Sequence, residues 1–146
     1  MAVAYARLDA LSGPPRSLDA PPVPPGLPRG LRYLELESGG LGWHPRGDAE
    51  RGMTELSGLT QLRYLDLRVS SGSMDPVDFD VQWLADMESL EFLRLDPFGR
   101  SVDHVEQLGD LDHLHALDLS GVRGLDTLSF VPALPALRYL DIRGTE

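Results

Sequence analysis

Residues 62–68 read LRYLDLR and residues 137–143 read LRYLDIR, one phrase changed at a single position. Variants follow as LRYLELE from Leu31, LEFLRLD from Leu90 and LHALDLS from Leu114. The phrase therefore stands five times, with starts 31, 28, 24 and 23 residues apart. Upstream of the later phrases apolar residues come in threes. Leu56, Leu59 and Leu62 lead into Leu65 and Leu67, and Leu84, Met87 and Leu90 lead into Leu93 and Leu95. Leu108, Leu111 and Leu114 lead into Leu117 and Leu119, and Val131, Leu134 and Leu137 lead into Leu140 and Ile142. A period of three that switches to two marks a turn or short helix running into a strand.

Such a unit cannot bury its own leucines, so neighbouring units must stack and share one continuous core. Strands that stack in register lie about 4.8 Å apart and form one parallel sheet. The predicted fold class is thus α/β: a solenoid of about five parallel strands on one, concave face, with short helices, 3₁₀ turns and loops on the other. Over roughly residues 27 to 143 the pattern resembles the leucine-rich repeat family, whose signature is LxxLxxLxxLxL. The family often carries Asn three positions after the last strand leucine. Here those positions hold Gly39, Ser70, Phe98, Val122 and Thr145, so the asparagine ladder is missing. The resemblance implies a non-catalytic, protein-binding solenoid.

Outward from the repeats, residues 1–30 are expected to form a Pro-rich lead-in that caps the solenoid of residues 31–146. Seven of the twelve prolines fall between residues 12 and 30, which favours extended chain. Residues 38–52 read as a long surface loop punctuated by Gly and Pro45. Residues 79–89 and 103–112 are predicted to hold short outer helices, the first with Asp78 or Asp80 near its N-cap. Pro132 and Pro135 discourage a full helix in the last unit. A sequence that stops just after the fifth strand leaves an uncapped edge, and homodimerisation through that edge is an expectation.

Composition closes off several functions. The chain has 146 residues, a formal charge of −10 and no cysteine. Disulfides, thiolate metal sites and a Cys nucleophile are thereby excluded. An acidic chain lacks the basic stripe that nucleic acid needs. No apolar run has the length of a membrane span. The opening MAVAYARLDAL lacks the basic start and unbroken apolar core of a secretory signal, so a cytoplasmic protein is expected. All thirteen basic residues are Arg, and Ile142 is the lone Ile, a bias of GC-rich, bacterial genomes. There is no G-x-S-x-G, no H-E-x-x-H and no phosphate loop. His113 and His115 flank Leu114 without a third ligand, and Asp75, Asp78 and Asp80 lack calcium-loop spacing. Neither an enzyme nor a cofactor or metal is expected.

The candidate site is the open face of the sheet. Alternation sends every second strand residue to that side. One column holds Tyr33, Tyr64, Phe92, Ala116 and Tyr139. The next holds Glu35, Asp66, Arg94, Asp118 and Asp141, and the third Glu37, Arg68, Asp96, Ser120 and Arg143. Tyr and Arg anchor protein interfaces because they combine area with hydrogen bonding. The predicted partner-binding residues are Tyr33, Glu35, Tyr64, Asp66, Arg68, Phe92, Arg94, Asp118, Tyr139, Asp141 and Arg143. Aromatics also stabilise adjacent strands, which is the purely structural alternative. Tyr64→Ala is expected to cost about 2 kcal/mol of binding with little effect on folding. Between Val69 and Leu93 all six charged residues are acidic, beside Phe79 and Trp83. That run supports an alternative function, an acidic inhibitor or immunity protein that neutralises a basic enzyme such as a nuclease toxin.

Overall fold

The structure is a computed structural model, and it describes residues 5–9, 29–38, 56, 58–69, 79–97 and 101–145. The Pro-rich stretch 12–28, most of the loop 38–52, and Asp75 and Asp78 lie outside the described residues. Among the described residues six parallel strands form the main sheet: β1 (Tyr5–Asp9), β2 (Tyr33–Ser38), β3 (Tyr64–Val69), β5 (Phe92–Asp96), β7 (Ala116–Asp118) and β8 (Tyr139–Asp141), in that spatial order. Five of them are the repeated phrases. The sixth, β1, arises from the segment predicted as lead-in, and its Tyr5 pairs in register with Tyr33. Its sequence YARLD has Ala6 where every phrase has leucine, which hid it from the repeat count.

Register is kept from strand to strand: Leu34, Leu65, Leu93, Leu117 and Leu140 form one continuous row. All but Leu140 in that row are buried, and Leu140 is half-buried on the last strand. Behind the sheet the leucines of the three-residue period pack into the same core: Leu56, Leu59 and Leu62, then Leu84, Met87 and Leu90, then Leu108, Leu111 and Leu114. Their period comes from the backbone. Leu59 N–H donates to Leu56 O and Leu62 N–H to Leu59 O, each at 2.9 Å, and the same i to i−3 bonds recur in every later unit. Tight turns with three residues per turn put each third side chain inward.

The outer segments are 3₁₀ helices, two of them within the spans 79–89 and 103–112 where short outer helices were expected, and the third in the unit whose prolines discourage a full helix. They span Gln82–Asp86, Val105–Asp110 and Val131–Ala133. The first is preceded by a two-residue strand β4 (Phe79–Asp80), which pairs with β6 (Val102–Asp103) in a small outer sheet. Val81, not an Asp, occupies the cap position, although Asp80 Oδ1 accepts from Gln82 N–H at 2.8 Å. Pro132 sits at the start of the last turn, where its missing N–H costs nothing. Trp83 packs against the core, and its indole donates to Asp80 O at 2.9 Å.

Candidate functional site

The three predicted columns are assembled by the register of the strands. In the first, Tyr33 and Tyr64 stack with ring centroids 4.1 Å apart and planes within 5°. Tyr64 and Phe92 continue the stack at 4.3 Å and 4°. The ladder then meets Ala116, and Tyr139 stands on the far side of it. Tyr139 is 52% exposed and turns its hydroxyl along its own strand, donating to Asp141 Oδ2 at 3.1 Å.

The second and third columns lock together. Arg68 grips the Asp66 carboxylate with two parallel bonds, Nε to Oδ1 at 3.0 Å and Nη2 to Oδ2 at 2.6 Å. It also reaches Glu35 Oε1 on the neighbouring strand at 3.3 Å. Asp66 is only 1% exposed, so it is a carboxylate held inside by its arginine. Arg143 grips Asp141 in the same way, with Nη2 at 2.6 Å from Oδ2. Arg94 Nε lies 3.4 Å from Asp118 Oδ2, but the pair is poorly aligned and this buried nitrogen has no hydrogen-bond partner among the described residues.

Two carboxylates do a second job. Asp118 Oδ1 accepts from Ser120 N–H at 3.0 Å, and Asp141 Oδ1 accepts from Arg143 N–H at 3.1 Å. Asp118 and Asp141 are the last residues of their strands, and these side-chain turns lead the backbone out of the sheet. Gly121 and Gly144 follow with φ of 82° and 71°, a left-handed conformation that glycine takes at low cost. Thr145, at one of the positions where the asparagine ladder is missing, donates to Ile142 O at 2.8 Å.

The phenols and carboxylates feel these contacts. Burial, then the hydrogen bond with Tyr33 and the nearby carboxylates of Asp66 and Glu35, push the Tyr64 phenol well above its ordinary range. The Arg143 guanidinium, then its backbone N–H, hold Asp141 well below the usual carboxylate range. In return the hydrogen bond to Asp141 raises the Tyr139 phenol.

One row was not among the predicted residues. Arg32, Arg63, Glu91, His115 and Arg138 immediately precede the aromatic column. Arg63, His115 and Arg138 are exposed, and Arg63 bonds Glu91 across strands at 2.8 Å. The signal was present: the second residue of each phrase is polar. The backbone bonding of this row repeats from coil to coil: Arg63 N–H and Tyr64 N–H both donate to Arg32 O, and Glu91 N–H and Phe92 N–H to Arg63 O. Of the acidic run, Glu91 belongs to this row, Asp86 and Glu88 are exposed on the outer segment, and Asp80 faces His104 Nδ1 at 3.2 Å. No cluster of three or more metal-binding side chains occurs among the described residues. Nor is any helix among them long and apolar enough to cross a membrane.

Among solved structures, an internalin from Listeria monocytogenes is similar, with a TM-score of 0.53 and 17% identity over 81% of this chain. The fold is a leucine-rich repeat solenoid. The matched region covers 30% of that internalin chain, and identity this low speaks for the fold alone. No protein-family model matches the chain, and no curated protein does.

Proposed function

We propose that this leucine-rich repeat solenoid is a non-catalytic protein-binding module that docks its partner on the open face of the sheet. The observation that carries the proposal is the register itself. It lines up a stacked aromatic ladder beside a charged column whose Asp66 and Asp141 are each clamped by an arginine of the third column. Aromatic and arginine side chains held rigid before contact lose little entropy on binding, which is the property of a hot spot. Tyr33, Tyr64, Phe92 and Tyr139 supply apolar area. Glu35, Asp66, Arg68, Arg94, Asp118, Asp141 and Arg143 supply orientation.

The test is affinity capture from a native lysate. Wild type is compared with a Tyr33→Ala, Tyr64→Ala, Tyr139→Ala triple variant whose folding is matched by circular dichroism. A partner retained by wild type and lost by the variant is expected. A partner held equally by both would remove this face from the interface. A second reading, inhibition of a basic enzyme, draws support from exposed Asp86 and Glu88 on the outer side and the formal charge of −10. An association rate that falls steeply with added salt favours it. A salt-insensitive rate favours the aromatic face.

A further inference from the structure

The aromatic ladder lacks one rung. Phe92, Ala116 and Tyr139 are in register on three successive strands, so Phe92 and Tyr139 stand two strand spacings apart, about 9.6 Å. Elsewhere in the ladder rings stack at 4.1 and 4.3 Å. Two such separations fit into that gap, so it has the width of a single planar ring. Tyr139 does not lean across the gap, because its hydroxyl is directed along β8 to Asp141. Ala116, half-buried, is the floor.

The neighbouring rung shows what would fit. On β8 a phenol at one position meets a carboxylate two residues on, Tyr139 Oη to Asp141 Oδ2 at 3.1 Å. On β7 the matching positions are Ala116 and Asp118. Asp118 Oδ1 is taken by Ser120 N–H, while among the described residues Oδ2 has only the misaligned Arg94 Nε at 3.4 Å. An acceptor therefore waits where a hydroxyl would arrive. A guanidinium in the same place would meet the positive charge of Arg94, and a plain phenyl ring would leave the acceptor unused.

From this we infer that the gap over Ala116 is a slot for a tyrosine side chain of the partner protein. Its ring stacks between Phe92 and Tyr139, and its hydroxyl donates to Asp118 Oδ2. The inference rests on the sheet face being the docking surface and names the residue type that the face selects.

Three blocked peptides, Ac-Gly-Tyr-Gly-NH2 and its Phe and Arg counterparts, serve as probes against the full chain with labelled alanine methyls. The tyrosine peptide should shift the Ala116 methyl saturably and bind about fivefold tighter than the phenylalanine peptide, the worth of one net hydrogen bond. Asp118→Asn should narrow that margin. Ala116→Tyr fills the rung from within, so it should keep the fold, leave Tm unchanged or higher, and abolish the shift. A still Ala116 methyl, tightest binding by the arginine peptide, or undiminished binding to a folded Ala116→Tyr variant each overturns the slot. So does an Ala116→Tyr variant that fails to fold, because the rung is then not open. A captured partner that depends on the tyrosines yet ignores Ala116→Tyr sinks the slot and keeps the face. A partner indifferent to both sinks the face.

Discussion

β3 and β8 are built from almost one heptapeptide, LRYLDLR and LRYLDIR, yet their tyrosines end in different worlds. Tyr64 is sandwiched between Tyr33 and Phe92, whereas Tyr139 is half in solvent with its hydroxyl on its own Asp141. Both phenols are raised, but burial leads at Tyr64 and the carboxylate hydrogen bond leads at Tyr139. Local sequence sets which way each side chain points. Neighbouring coils set whether it is packed or presented. β3 has β2 and β5 beside it, while β8 has only β7 among the described strands.

The pair Leu67 and Ile142, the one difference between the two phrases, measures that contrast directly. Leu67 is 3% exposed, and Ile142 is half-buried. Leu67→Ala should destabilise by about 2–5 kcal/mol, the range for deleting a fully buried leucine side chain. Ile142→Ala should cost markedly less, because solvent or a shift of the last coil fills the space. Urea unfolding of both variants checks this. Equal losses would mean that β8 is as deeply packed as β3.

Much of this was legible beforehand, for a physical reason. A strand with one buried side must alternate, and a stacked coil must repeat, so leucine spacing alone led to the five phrases, their register and the three columns. Side-chain capture of the backbone was harder to read. Asp118 and Asp141 end their strands after three residues, and Gly121 and Gly144 follow them, whereas β2 and β3 have Ser38 and Val69 at that place and run on to six. Asp66 stands in the same phrase position but is spent on Arg68. Asp141 serves both uses at once, and the meaning of the glycine that follows emerges once the hydrogen bonds are seen. The strand β1 escaped because pattern-reading needs leucine at both strand positions and Ala6 breaks it. The short outer helices fall where the spacing put them, but a period of three serves a 3₁₀ helix as well as one face of an α-helix, so their type was open until the backbone bonds were seen.

The stacked ladder also revises what Tyr64→Ala does. Each aromatic pair contributes about 0.5–1.5 kcal/mol beyond its area, and Tyr64 makes two. The substitution should therefore destabilise the fold by about 1–3 kcal/mol as well as weaken binding, whereas Tyr139→Ala should weaken binding and leave stability nearly unchanged. Alkaline titration gives a second view. A phenol raised in the folded state keeps its proton above pH 10 while the unfolded chain loses it, so its stabilisation is full below pH 10 and declines above it. Tyr64→Phe should flatten that decline. A tyrosinate absorbance band from Tyr64 at ordinary pH, with the fold intact, would show that the ring is not buried in the stack.

The smallest effect belongs to the clamp on β8. Asp141 is held below the usual carboxylate range, first by the Arg143 guanidinium and then by the Arg143 N–H. A depressed carboxylate stabilises the fold above its unfolded value of 3.8 and loses that contribution as pH falls toward the folded one. The difference in Tm between wild type and Asp141→Asn should accordingly be greatest near neutral pH and shrink below pH 4. Asn still accepts from Arg143 N–H, so the turn survives and the comparison isolates the charge. A difference that stays constant from pH 7 into the acid range would assign Asp141 to the turn alone. The exposed guanidinium of Arg143 would then be available to a partner, not committed to its own strand.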